Sequence, residues 1–227
     1  MRVGFVTIGQ SPRVDVFNDI KHLLPKDIEI VEKGALDNYT EEEINKKLKP
    51  RKNETTYITK LKNGKEVKIS KNKVVKLLKD VIKELNKEGV DLIVILCTGS
   101  FPRFASEVPV IYPYKLLEGF VSALNPRVLG VLAPAQEQIN YLTRRWLKKC
   151  PKVVVEAISP YTSDLKDFLN VGKRLAEEGV KVVVMDCIGY SISQAQVIKA
   201  SLGEDSLVLN PRLALVTFIR ALTFFSS

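Results

Sequence analysis

Glu88-Gly89-Val90-Asp91-Leu92-Ile93-Val94-Ile95-Leu96-Cys97-Thr98-Gly99-Ser100 has a counterpart ninety positions later, Glu178-Gly179-Val180-Lys181-Val182-Val183-Val184-Met185-Asp186-Cys187-Ile188-Gly189-Tyr190. Each copy sets Glu-Gly-Val before an aliphatic run and follows the run with Cys, one variable residue and Gly. The pattern covers a helix end, a strand and the loop beyond it. Self-similarity of this kind predicts two related α/β lobes, each carrying a cysteine at the same place.

The flanking sequence fits that plan. Residues 2–8 form a near-continuous apolar run ended by Gly9, as in a strand buried on both faces of a parallel sheet. Residues 14–24 have helical spacing, residues 28–31 read as a short strand, and Thr40 with Glu43 forms a capping box opening a helix over 40–48. Residues 57–62 and 65–69 alternate around Asn63-Gly64, a strong hairpin signal with no counterpart in the second half. A long amphipathic helix over 71–88 leads into the first copy. The second half repeats the plan: strand 127–133, helix 135–149, strand 153–158 and helix 163–178 lead to the second copy. Helices over 191–201 and 211–225, separated by a strand over 206–209, close the chain. The predicted fold is two pseudo-symmetric doubly wound lobes with mainly parallel sheets. The first spans 1–118 with 206–227 returning to it and a hairpin insertion at 55–70; the second spans 119–205, with an active-site cleft between them.

Composition narrows the function classes. The formal charge is +9 and the pI about 9.4, yet most of the excess is Lys interspersed with Glu, as along 71–88, which reads as a solvated surface. The one dense basic stretch, residues 46–52, lacks interleaved aromatics, so a small anionic ligand is expected and nucleic acid is not. Three cysteines point to a reducing cytoplasm rather than a disulfide frame. The apolar start, residues 1–9, has no basic leader or small-residue cleavage site, and no apolar run approaches the ~18 residues of a membrane span.

Ligands of open parallel sheets bind outside the carboxyl ends of the strands, where Cys97 and Cys187 fall. On facing lobes, the two thiols would line one cleft from opposite walls. Gly99 and Gly189 let backbone N–H groups approach an anion, and the amides of Thr98, Gly99, Ser100, Ile188, Gly189 and Tyr190 are the candidate donors. Two thiols flanking a carbon acid suit proton transfer at a stereocentre. One removes a proton as thiolate and the other delivers one as thiol, and an ordinary thiol pKa of about 8.5 keeps both forms within reach. No metal or organic cofactor is expected. His22 is the only histidine, lies near the end of the first helix, and leaves no metal-ligand spacing. Cys150 ends a helix before Pro151 and reads as structural.

The remaining candidates lie on loops. Gln10, Ser11 and Arg13 follow the first strand; Arg13 is expected to clamp a substrate carboxylate and Ser11 to donate to it, while Ser11 also fits an N-cap with Pro12 at the first helical position. Ser159 and Tyr161 either reach the site or form an ordinary turn, and Tyr190 could close over a substrate. Asp186 points to the opposite side of its strand from Cys187 and is expected to anchor backbone. Phe101, Arg103, Tyr112 and Gln136 complete the pocket candidates.

Taken in order, Thr7-Ile8-Gly9-Gln10-Ser11-Pro12-Arg13, Gly34-Ala35-Leu36-Asp37, Leu96-Cys97-Thr98-Gly99, Ser159-Pro160-Tyr161 and Asp186-Cys187-Ile188-Gly189-Tyr190 resemble the AroM family, within the aspartate/glutamate (hydantoin) racemase superfamily. The resemblance covers nearly the whole chain. It implies paired cysteines on pseudo-symmetric lobes and a cofactor-independent racemase or isomerase of a small carboxylate or amino-acid-like carbon acid, in a superfamily that also contains decarboxylases. Two other readings stand beside it. Cys97 to Arg103 matches the Cys-x5-Arg loop of cysteine-dependent phosphatases, although Pro102 removes a backbone donor. A non-catalytic metabolite-binding protein would keep the same cleft. The hairpin is long enough to be a lid or a contact between two copies, which keeps a homodimer among the expected states.

Overall fold

The computed structural model describes residues 1–52 and 54–224. The chain divides into two compact units, residues 1–18 with 24–113, and residues 19–23 with 114–227. The first unit contains β1 (Arg2–Thr7), most of α1 (Val14–Ile20), β2 (Glu29–Gly34), α2 (Glu41–Glu43, continued by a wider turn over Ile44–Leu48), β3 (Thr56–Lys60), β4 (Glu66–Ser70), α3 (Lys71–Lys87), β5 (Leu92–Leu96) and β6 (Val110–Ile111). From α4 (Pro113–Leu124) the second unit runs through β7 (Val128–Ala133), α5 (Ile139–Trp146), β8 (Lys152–Ala157), α6 (Leu165–Glu177), β9 (Val182–Met185), α7 (Ile192–Leu202), β10 (Leu207–Leu209) and α8 (Pro211–Thr223).

The strand orders make the internal repeat explicit. One sheet reads β2-β1-β5-β6 and the other β8-β7-β9-β10, every neighbouring pair parallel. The repeated strands, β5 and β9, thus take the same interior position in each sheet. Interior strands of a parallel sheet are covered on both faces, which is why these runs are continuously aliphatic. In the second unit the two covering layers separate clearly. Phe168, Leu175 and Ile198 pack with Val183 on one side; Leu117, Leu142, Trp146 and Ala214 pack with Val184 on the other.

Glu-Gly-Val is the helix end that delivers each strand. Gly89 and Gly179 have φ of 69° and 72°, a left-handed conformation that costs glycine little. The Val90 and Val180 amides reach back to the carbonyls of Leu85 and Leu175 at 3.4 and 3.0 Å, closing the same C-terminal motif twice. Both valines are buried, so the chain enters the core as it leaves the helix.

Several boundaries depart from the sequence reading. Residues 206–227 were expected to return to the first lobe; instead β10 pairs with β9, and α8 belongs to the second unit. The fourth strand of the first sheet is β6, whose two residues are too few to show a period. The long helix α4 that follows was also not foreseen. Phe225, the expected last helical residue, lies outside the described residues. The capping box at Thr40 and Glu43 forms as expected.

The hairpin is present but turns differently. Lys60 pairs with Glu66, and the Leu61 amide bonds the Lys65 carbonyl at 2.9 Å, leaving residues 62–64 as a three-residue loop. A two-residue turn centred on Asn63-Gly64 would need positive φ at both, whereas only Gly64 has it, at 85°. The Asn63 side chain instead accepts the Lys65 amide at 3.0 Å. Among the described residues no helix is long and apolar enough to cross a membrane.

Candidate active site

Both cysteine loops are built alike. Immediately after β5, the Cys97 amide bonds the Ile95 carbonyl at 2.7 Å, turning the chain sharply. The Gly99 amide then donates to Cys97 Sγ at 3.3 Å. After β9, the Cys187 amide bonds the Met185 carbonyl at 2.9 Å, and the Gly189 amide donates to Cys187 Sγ at 3.4 Å. A hydrogen bond donated to sulfur favours the thiolate over the thiol, the form that takes protons.

The need for glycine two residues after each cysteine is also the same. A Cβ at Gly99 would lie 2.5 Å from the Tyr57 ring, and one at Gly189 would lie 2.6 Å from the Tyr161 hydroxyl. In each unit a tyrosine ring occupies the space that a side chain would need. Tyr57 comes from β3, so the inserted hairpin belongs to the architecture of the Cys97 loop. Its hydroxyl donates to the Ser100 carbonyl at 2.8 Å, and its ring meets Phe101 edge-on with centroids 5.4 Å apart. Two residues further along β3, Thr59 sits against Gly9, and beyond the strand the Lys62 amide donates to the Gln10 side chain at 3.0 Å.

The loops differ in how they are held. Behind Cys187, the buried Arg212 guanidinium donates to the carbonyls of Ile188 and Gly189 at 2.8 and 2.7 Å and pairs with Asp19 at 2.6 Å. Asn210, the N-cap of α8, donates to the Tyr190 carbonyl at 3.1 Å. Beside Cys97 lies Lys71, whose Nζ donates to Ser100 Oγ at 3.1 Å. Exposure differs too: Cys97 is half-buried, whereas Cys187 retains only 8% of its accessible surface. None of Tyr57, Lys71 or Arg212 was legible as a site residue, because each comes from an element remote in sequence from the cysteine it serves.

The structure gives several predicted substrate contacts other partners. Arg13 is buried, and its guanidinium clamps Asp15 through two contacts of 2.8 Å and donates to Thr7 Oγ1 at 3.2 Å, so the carboxylate it grips is internal. Ser11 is not an N-cap: its amide and hydroxyl both go to the Asp37 carboxylate at 2.7 and 2.6 Å, and α1 begins at Val14 over the Arg13 carbonyl. Asp37 also takes the Gly34 amide at 2.7 Å, which ties the loops after β1 and β2 together. Gln10 spends its amide nitrogen on the carbonyls of Leu36 and Tyr39. Ser159 Oγ accepts the amides of Tyr161 and Thr162 at 3.2 and 3.3 Å, so it forms the turn that presents Tyr161.

Tyr190 is fully buried and donates to the Ile158 carbonyl at 2.7 Å, a core anchor rather than a residue that closes over a ligand. Burial pushes its phenol well above the usual tyrosine range, with the neighbouring Cys187 and Asp186 adding to the shift. Asp186 bonds to Trp146 of one covering layer, whereas Cys187 packs in the other. The Asp186 carboxylate anchors side chains, accepting from Trp146 Nε1 at 2.7 Å and from Arg145 at 3.3 Å. Thr98 is buried beside Cys97, while Arg103 and Gln136 are exposed. Tyr112 accepts the Phe104 amide at 2.9 Å, and Cys150 is buried with its sulfur against the carbonyls of Pro126 and Lys152.

A parallel α/β unit that occurs twice in one chain is the fold of the aspartate/glutamate racemase-like proteins. Solved structures bear this out. The maleate isomerase Iso from Pseudomonas putida S16 matches with a TM-score of 0.64 at 12% identity, over 99% of this chain and 93% of that one. Allantoin racemase from Klebsiella pneumoniae matches with a TM-score of 0.62 at 12% identity, over 100% and 89%. Glutamate racemase from Aquifex pyrophilus matches with a TM-score of 0.59 at 16% identity, over 98% and 84%. Arylmalonate decarboxylase also shares the fold, with a TM-score of 0.60. No curated protein matches the sequence. The family model described as AroM protein matches residues 3–222, and the chain belongs to the AroM family.

Proposed function

We propose that the protein is a cofactor-independent racemase or isomerase of a small carboxylate or amino-acid-like carbon acid, with Cys97 and Cys187 as the proton-transferring pair. One cysteine, as thiolate, takes the proton from the substrate carbon. The C–H electron pair passes into the adjacent carboxylate, giving an enolate-like anion that the loop amides stabilise. The other cysteine, as thiol, returns a proton to the opposite face, and the protonation states are exchanged for the next turnover.

The observation that carries this reading is the matched amide-to-sulfur contact, Gly99 to Cys97 and Gly189 to Cys187. A cysteine kept only as a small apolar filler has no use for a donor aimed at its sulfur; Cys150, set against two carbonyl oxygens, has the opposite surroundings. The phosphatase alternative fares worse. Phosphate-cradling loops run into a helix whose N-terminal amides face the anion, whereas the chain after Cys97 is irregular to β6 and the next helix starts at Pro113.

Cys187→Ser separates the two chemistries. Proton-transfer activity on a carbon acid should fall by at least about 100-fold. Hydrolysis of an aryl phosphate that survives this change but is lost in Cys97→Ser would establish the phosphatase instead. If the exchange activity is absent and neither thiol alkylates faster than Cys150, the binding-protein reading replaces both.

A further inference from the structure

We propose that Lys71 is the cationic anchor for an anionic group of the substrate in the Cys97 half of the site. The inference rests on the proton-transfer reading above and adds to it the residue that binds the carboxylate. Arg13, the cation nearest to hand in the sequence, grips Asp15 and is buried. Lys71 is a cation that meets the cysteine loop itself, with Nζ on Ser100 Oγ at 3.1 Å and 5.9 Å from the Tyr57 ring centroid.

Its position runs against local preference. Lys71 is the first residue of a 17-residue helix with no acidic residue in its first turn, and a cation at a helix N-terminus opposes the helix dipole. The backbone accounts for the residue's place but not its charge: the Lys71 amide bonds the Thr55 carbonyl at 3.0 Å, which any residue but proline would supply. What selects a lysine is the reach of its side chain, half-buried, over the hairpin to the loop three residues beyond Cys97. The hairpin insertion is therefore part of substrate recognition: Tyr57 holds the loop backbone, and the β4–α3 junction supplies the charge. A ligand with a carboxylate beside its acidic carbon would place that carboxylate at Lys71 and Ser100 and the carbon toward Cys97.

The test compares alkylation of Cys97 by iodoacetate, which is anionic, with that by neutral iodoacetamide, each site followed by mass spectrometry of its peptide. Dividing the two rates cancels any change in thiolate content. Lys71→Gln should lower the iodoacetate-to-iodoacetamide ratio at Cys97 about five- to tenfold, the loss of one partly shielded charge contact. Lys71→Arg should hold the ratio within about twofold, and Arg103→Gln, at an exposed position, should leave it unchanged. Lys71→Met provides the second charge-removing variant should Lys71→Gln not fold. An unchanged ratio in both, or a fall in Arg103→Gln instead, overturns the inference while leaving the cysteine pair standing. If Cys97 outpaces Cys150 with neither reagent in the unaltered protein, the proton-transfer reading falls and the anchor with it.

Discussion

The Gly99 amide donates to the sulfur of Cys97 at 3.3 Å, and the contact is reproduced in the second unit, where Gly189 meets Cys187 at 3.4 Å. Two loops with different sequences, Cys97-Thr98-Gly99-Ser100 and Cys187-Ile188-Gly189-Tyr190, thus converge on one local geometry. What they share is the sharp turn at cysteine and a glycine thin enough to lie under a tyrosine ring.

Gly99→Ala should therefore act on chemistry and stability together. The new Cβ would meet the Tyr57 ring at 2.5 Å, so ring or loop must move. We expect a loss of about 1–3 kcal/mol in denaturant unfolding, with slower alkylation of Cys97. Adding Tyr57→Leu should recover part of the stability, since it removes the atoms in the way. Full additivity of the two changes would show that they do not meet.

Arg212→Met should loosen the other loop. The arginine side chain is 2% exposed and satisfies two carbonyls and the Asp19 carboxylate. Removing it leaves the Ile188 and Gly189 carbonyls without this donor in the interior, while Asp19, 28% exposed, keeps the Ile192 amide at 2.9 Å, so a cost of about 2–4 kcal/mol is expected. Alkylation kinetics of Cys187 should change while those of Cys97 do not. Equal effects at both sulfurs would contradict a local role.

Asp186→Ala should be among the most destabilising single changes in the second unit. Its side chain is 1% exposed and accepts from both Trp146 and Arg145, whose own side chain is 8% exposed. Arg145 would retain Glu118, at 3.0 Å. A loss of about 3 kcal/mol or more is expected by urea unfolding, and Asp186→Asn, which keeps an acceptor for Trp146, should cost less. A loss below about 1 kcal/mol would show that the network adds little.

Glu32 sets one pH dependence. Burial raises its carboxyl pKa above the ordinary 4.5, against the pull of the Arg13 amide, which it accepts at 2.7 Å, and of the Arg13 charge. A carboxyl raised by folding stabilises the fold below its unfolded value, and that contribution is lost as pH rises through the folded value. Glu32→Gln should remove this slope, so the variant gains on the parent protein as pH climbs from about 4 to about 7. Urea midpoints at both pH values check it; a constant difference between the two proteins would contradict the shift.

How much could be read beforehand depended on distance along the chain. The paired strands, the Glu-Gly-Val helix ends and the Thr40 capping box are local patterns whose physics is complete within a few residues. The second sheet's fourth strand was legible as a strand but not as to its neighbour. Leu207–Leu209 is three residues long and pairs only because the β9 edge is open to it. Arg13 was expected to meet substrate because it follows the first strand, but Asp15, two residues on, is a nearer carboxylate. Tyr57, Lys71 and Arg212 reach their loops across 42, 29 and 24 residues of chain, to Gly99, Ser100 and Ile188. No periodicity or motif carries that information.

In the proposed mechanism both cysteines move protons on one carbon acid. Incubating the protein in D2O with a panel of small chiral carboxylates and amino acids, and following the proton on the acidic carbon by NMR, tests it directly. The account predicts that at least one compound loses that signal with deuterium incorporation and inverts or isomerises. Cys97→Ser and Cys187→Ser should each abolish the conversion of one form into the other. Interconversion that continues at the parent rate with either cysteine replaced would contradict the two-cysteine mechanism.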